Sequence, residues 1–176
     1  MLSYDLIRVF RPIIVDGLAD LGITSNVLLG YQTTLQGHSD NTVYFYEINS
    51  RPIGTVKRSD YWDDDTQVMT HEETQLFEST FQINTLLKQD PTDFTITALD
   101  LCRYVHLILA SDDSISTLAN DDIGILRVTD IRNPYFEGAD GNYEANPNFD
   151  ITFTHNVLLS KTIDAVDTFD YTIKGV

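Results

Sequence analysis

Residues 125–155 read ILRVTDIRNPYFEGADGNYEANPNFDITFTH. Two strand-like segments flank a polar loop. The first, Ile125 to Arg132, alternates with period two. The second, Phe149 to Leu159, places Phe149, Ile151, Phe153, His155, Val157 and Leu159 on one face and mostly Asp, Thr and Asn on the other. That alternation marks a half-buried antiparallel strand. The loop holds Asn133-Pro134, Gly138, Asp140-Gly141 and Asn146-Pro147, all of it turn chemistry. It is longer than a hairpin connection needs, and it carries Tyr135, Phe136 and Tyr143. With no acid–base pair and no metal-ligand spacing inside it, the loop points to contact with another protein.

The segments on either side set the fold class. Residues Tyr4 to Leu21 repeat apolar positions at helical spacing, with Ser3 as a candidate N-cap, Gly22 as a candidate C-cap and Pro12 as a kink or break. Short strands follow at Val27 to Gln32 and Thr42 to Ile48. Gly37 to Asn41 reads as a turn. Ile53 to Lys57 reads as a further strand after a turn at Asn49-Ser50 and Arg51-Pro52. Tyr61 to Thr66 reads as a loop, and Glu73 to Leu87 as a long strand with Phe77, Phe81 and Ile83 on one face. A second helix is expected over Thr95 to Ala110, capped by Asp93 or Thr95, with a stripe of Ala98, Leu99, Cys102, Val105, His106 and Leu109. Ser114 to Asn120 adds a helical turn, and Val166 to Lys174 a last strand. Hairpins outnumber βαβ units. The expected architecture is therefore α+β over residues 1–176 as one domain: an antiparallel (mixed) β-sheet with two main helices packed on one face and long β-hairpin or loop extensions.

Charge narrows the function. The chain carries 27 acidic and 11 basic residues, a formal charge of −16, which repels nucleic acid and anionic membranes. No signal peptide is expected, because Asp5, Arg8, Arg11, Asp16 and Asp20 interrupt the first apolar stretch. The lone cysteine, Cys102, rules out an internal disulfide. It reads as a small buried hydrophobe, or as a nucleophile paired with His106 one helical turn on. His71 beside Glu72 and Glu73 is the other acid–base candidate. None of His38, His71, His106 and His155 stands in zinc spacing. Asp63-Asp64-Asp65 lacks the alternation and glycine of a calcium loop and reads as solvated. Asp112-Asp113 and Asp121-Asp122 read as helix caps. Aromatic residues in polar segments are candidate interface anchors, which selects Tyr61, Trp62, Tyr135, Phe136 and Tyr143, with Arg132 at the strand end. The alternative is that they fold back as a local lid.

Two stretches carry a family likeness: FQINTLLKQDPTDFTITALDLCRYVHLIL, residues 81–109, and LRVTDIRNPYFEGADGNYEANPNFDITFTH, residues 126–155. The chain resembles the neck or tail terminator proteins of tailed bacteriophages. The resemblance covers the second half of the chain by motif and the first half by element order. It implies a structural virion protein, not an enzyme, without cofactor or metal. It further implies a six-fold ring of copies that caps the tail tube and joins it to the head connector or adaptor, beside the tail sheath. The genome would pass through the lumen without specific binding. Such a protein is expected in the virion neck, and in the host cytoplasm during assembly. The alternatives are a connector or tail-completion protein at another level of the neck, a monomeric peptide-binding module, or a small enzyme built on the histidines above.

Overall fold

A computed structural model describes residues 2–30, 41–66, 68–87, 96–137 and 143–163. The backbone alone is described for Tyr135 to Glu137 and for Tyr143 and Glu144. Helix α1 spans Ser3–Asp20 and buries Leu6, Phe10, Ile14 and Leu18, one residue per turn down a single face. Its N-cap is Leu2, not Ser3, which is the first helical residue. Leu2 has no side-chain acceptor to offer, and the Asp5 carboxylate instead accepts the Leu2 N–H at 3.1 Å. Pro12 neither splits nor ends the helix. A proline inside a helix costs about 3 kcal/mol, and the four buried side chains on either side of it hold the helix together against that cost. Gly22, at φ 72°, closes α1 by donating to the Ala19 carbonyl, while Ile23 donates to Leu18.

Helix α2 spans Ala98–Leu109, shorter than expected, with Thr97 as its cap. Thr97 Oγ1 accepts from Asp100 N at 3.1 Å, and the Asp100 carboxylate accepts in return from Thr97 N at 3.2 Å. The caps first expected, Asp93 and Thr95, lie outside the described residues. Helix α3, Asp112–Asn120, extends the anticipated turn to nine residues, and Ser111 caps it. Asp112 and Asp113 sit in its first turn, where carboxylates suit the helix dipole. Asp121 is its C-cap, and Asp122 takes φ 57° just beyond.

The strands are β1 (Asn26–Leu29), β2 (Thr42–Asp63), β3 (Val68–Leu86), β4 (Gly124–Val128), β5 (Tyr135–Glu137), β6 (Tyr143–Ala145) and β7 (Asn148–Ile163). Five form one open mixed sheet in the order β1-β2-β3-β7-β4. Only β1–β2 is parallel. The fold is α+β as anticipated; among the described residues α1 and α2 are the two main helices, and α3 is the anticipated helical turn, lengthened. Residues opposite one another in the ladder share a face, so the register fixes what lies under the helices. Val43, Phe45, Phe81, Ile83, Phe149, Ile151 and Phe153 all turn to the helix side and form one core with the α1 and α2 stripes. Phe10 stands at its centre, 5.1 Å from Phe45, 5.1 Å from Phe81 and 5.2 Å from Phe153, ring centre to ring centre. Helices α1 and α2 meet closely at Gly17, where a Cβ would come within 2.7 Å of Ile108. The other face, with Tyr44, Tyr46, Thr80, Gln82, Asp150 and Thr152, is polar and uncovered among the described residues.

Three sequence readings change. Thr42 to Ile48 and Ile53 to Lys57 are not two strands joined by a turn. They belong to one 22-residue strand, β2, with register shifts between Glu47 and Asn49 and between Ile53 and Lys57. Each bulge inserts residues without ending the ladder. Tyr61 to Asp63 end that strand, and only Asp64 to Thr66 form the turn. The segment Ile125 to Arg132 is not a continuous strand. It is β4, bulged between Ile125 and Arg127, followed by an isolated bridge from Arg132 to Asn148. The expected turn at Gly37 to Asn41 lies, up to Asp40, outside the described residues, as do Tyr31 and Gln32 and the strand expected at Val166 to Lys174.

Candidate assembly interface

Beyond the helices, β2, β3 and β7 continue together as a three-stranded arm. β1 pairs with β2 only as far as Phe45, and β4 pairs with β7 only between Ile151 and Thr154. The arm from Arg51 to Asp63 therefore has two unpaired edges among the described residues and no second layer. At about 3.3 Å per residue it reaches roughly 40 Å past the core.

Its helix-side face follows from the register. Phe77 and His155 lie at the root, stacked with centres 6.3 Å apart, and His155 Nε2 shares a 3.0 Å hydrogen bond with the Ser79 hydroxyl. Next comes a charged zone: Arg58 Nε donates to Glu73 at 2.8 Å, and His71 sits 2.5 Å from Asp60 and 3.5 Å from Glu73. At the tip, Trp62, Met69 and Ile163 stand opposite one another in one row across all three strands. They are 41%, 39% and 43% exposed. Large apolar side chains are normally scattered on a surface, so this aligned exposed row is the candidate contact site. The turn beyond the row carries Asp63, Asp64 and Asp65. Asp63 is not simply solvated. Its carboxylate accepts from Thr66 Oγ1 at 2.7 Å and from Asp65 N at 2.9 Å, which ties the turn and holds its pKa below the usual range, the Thr66 hydroxyl first.

The six interface candidates separate into two groups. Tyr61, whose hydroxyl donates to Glu72 at 3.1 Å, and Trp62 lie at the arm tip. Arg132 lies at the base of β7 and is ion-paired to Asp150 at 2.7 Å. Beside it the long loop proves to contain a two-stranded hairpin, β5–β6, in which Tyr135 faces Ala145, Phe136 faces Glu144 and Tyr143 faces Glu137. Arg132 faces Asn148, which pairs with Asn84, whereas Trp62 pairs with Met69 on the same strand. The two groups are thus roughly 50 Å apart along β3. Sequence reasoning missed Met69 and Ile163, because only the ladder brings them beside Trp62.

Of the acid–base candidates, His71 does meet Glu73, together with Asp60, on the exposed arm, whereas Cys102 is not set up as a nucleophile. Burial pushes the Cys102 thiol up to about 11, which leaves it protonated and a poor nucleophile. His106 packs edge-on against Phe149, centres 5.1 Å apart. Among the described residues, no three His, Cys, Asp or Glu side chains are placed to hold a metal ion. No described helix is long and apolar enough to cross a membrane.

The two structured histidines of the arm are expected to titrate in opposite directions. Hydrogen bonds to Asp60 and then Glu73 raise the His71 pKa, while desolvation lowers that of His155. A group depressed in the fold binds its proton more readily when unfolded. His155 therefore withdraws stability as pH falls below about 6.5. His71 has the opposite sign, holding its proton above that pH and losing its contribution as pH rises through its folded pKa. Imidazole NMR titration, assigned with H71Q and H155Q, should place the two on opposite sides of an unfolded control. Overlapping curves would contradict the arrangement.

Among the described residues the molecule is an open sheet with helices on one face, a polar second face and a long single-layer arm. The chain belongs to the family of the E217 gateway protein gp29, a phage neck and tail family whose model matches residues 5–165. Among solved structures, it is similar to the sheath/tube terminator of PVC, an extracellular contractile injection system, in its extended state. The TM-score is 0.54 at 12% identity, over 100% of this chain and 64% of that one, and the likeness is one of fold. The chain thus spans less than two thirds of that terminator's length. No curated protein matches it significantly.

Proposed function

We propose that the chain is a tail terminator: a structural virion protein, one terminator-like domain over residues 1–176, six copies of which close into a ring on the end of the tail tube. The ring stops tube growth, joins the tail to the head connector, contacts the sheath where one is present, and leaves a lumen for the genome. The copies assemble in the host cytoplasm and end in the virion neck. The observation that carries this reading is the arm. Among the described residues it is a three-stranded sheet with no covering layer, and its exposed apolar row suits a partner. Arm and core are different surfaces, so copies meet head to tail, and such contacts close into rings when the rotation fits. The charge of −16 suits a conduit that must not hold DNA. That the family is one of gateway proteins supports a second reading, a connector one level nearer the head.

Light scattering over a concentration series, and copy number on purified tail tubes, test this. The expected particle has a mass about six times 19.9 kDa and binds tube ends. Binding to the head connector but not to tubes selects the second reading. A monomer both free and on tubes overturns both.

A further inference from the structure

We propose that the arm tip of one copy docks in the groove between α1 and the edge strand β1 of the next copy. This pairing rests on the ring reading and supplies its two contact patches. The groove encloses about 400 Å³. Tyr4, Ile7, Leu28 and Leu29 give it apolar walls, and Arg8 and Arg11 give it two cations, with no carboxylate in its lining. In a chain with 11 basic and 27 acidic residues, such a corner is unusual. No carboxylate of the described residues lies within ion-pair distance of Arg8, which is exposed. Arg11 Nε donates to the Val27 carbonyl at 2.9 Å, which presents the rest of its guanidinium at the groove.

The arm tip is the complement of this groove. The Trp62–Met69–Ile163 row supplies an apolar wedge, and Asp63, Asp64 and Asp65 follow it directly with no basic residue in the turn. A second apolar groove among the described residues lies between α1 and the α2–α3 pair. It is lined by Asp16, Asp20 and Asp113 and no cation, so it repels the tip. The tip cannot reach its own α1–β1 groove. Phe45 lines that groove, and Trp62 lies seventeen residues further along the same strand, roughly 50 Å away. The occupant is therefore a second copy, and because tip and groove differ, the contact is head to tail.

Trp62 is the only tryptophan, so its fluorescence reports the tip alone. On assembly, its emission should shift to shorter wavelength and its quenching by acrylamide fall about fivefold as the row leaves water. R8E and D65K should each weaken association about tenfold by placing like charges together, and the double variant should return to within about threefold of the parent. W62A should lose roughly 30-fold or more, as a buried aromatic anchor does. Far-UV circular dichroism checks that each variant folds. An assembled ring in which Trp62 quenches as freely as in the monomer, with R8E and D65K associating normally, overturns the pairing and leaves the ring standing. A chain that never associates overturns both. Protection that appears only on tail tubes and survives R8E assigns the contact to the tube protein and overturns the proposal.

Discussion

Replacing Phe10 by Ala is expected to cost about 3–5 kcal/mol of folding stability. Phe10 is wholly buried and touches three other aromatic rings, one from each of β2, β3 and β7. It is thus the side chain through which α1 grips all three long strands. Truncation removes the transfer free energy of the ring and leaves a cavity that these strands cannot fill by collapse, since their ladder fixes their spacing. Domains of this size are stable by about 5–15 kcal/mol, so the loss is a large share of the total. It corresponds to a fall in melting temperature of about 6–20 °C. Urea unfolding followed by far-UV circular dichroism measures it. L107A, at a helix position 64% exposed, is the control and should change stability by less than about 0.5 kcal/mol. Equal losses in the two variants would mean that α1 is not seated as described.

The parts that were legible in the sequence are those where burial is one-sided and local. Leu6, Phe10, Ile14 and Leu18 repeat at the helical period because a single face of α1 meets the sheet. Phe149, Ile151, Phe153 and His155 alternate because the polar face of β7 stays uncovered. The arm was illegible for the converse reason. With no layer on either face among the described residues, nothing there enforces alternation, and the two bulges of β2 shift its parity. Pro52 and the Asn49-Ser50 pair then read as a turn, although an edge strand tolerates a proline. Tyr61 and Trp62 stood out as aromatics among polar residues, but as loop residues. Their significance rests on Met69 and Ile163, seven and about a hundred positions away, and only the strand pairing joins them. Tyr135, Phe136 and Tyr143 were legible as aromatics of a long polar loop, whereas the pairing of β5 with β6 that holds them was not.

The largest effect on assembly should come from removing the arm. Replacing residues 54–75 with Asn-Gly, and ending the chain after Val157, joins Ile53 to Leu76 through a two-residue turn suited to a tight hairpin. These two residues already face each other in the ladder. Phe77, Ser79 and His155 are retained, so the root of the arm keeps its stacked pair and its buried hydrogen bond. The core should lose little. What the deletion removes is a single layer whose ion pairs, such as Arg58–Glu73, are exposed on the arginine side, and such pairs contribute about 0–1 kcal/mol. Against that stands the ordering entropy of the deleted residues, which the free monomer no longer loses on folding. The expected product is a folded monomer whose stability lies within about 2 kcal/mol of the parent, and whose mass stays at one chain over the whole concentration series. A chain ended after Ile163 with its arm intact is the control and should still associate. If it does not, association depends on residues beyond the arm. If the armless chain forms the same ring as the parent, the arm is not the surface that joins the copies. Hydrogen exchange gives an independent reading of the same physics. In the free monomer the amides of the arm should exchange far faster than those of the core strands. In the assembled particle they should slow toward core rates as a partner supplies the layer that the arm lacks among the described residues.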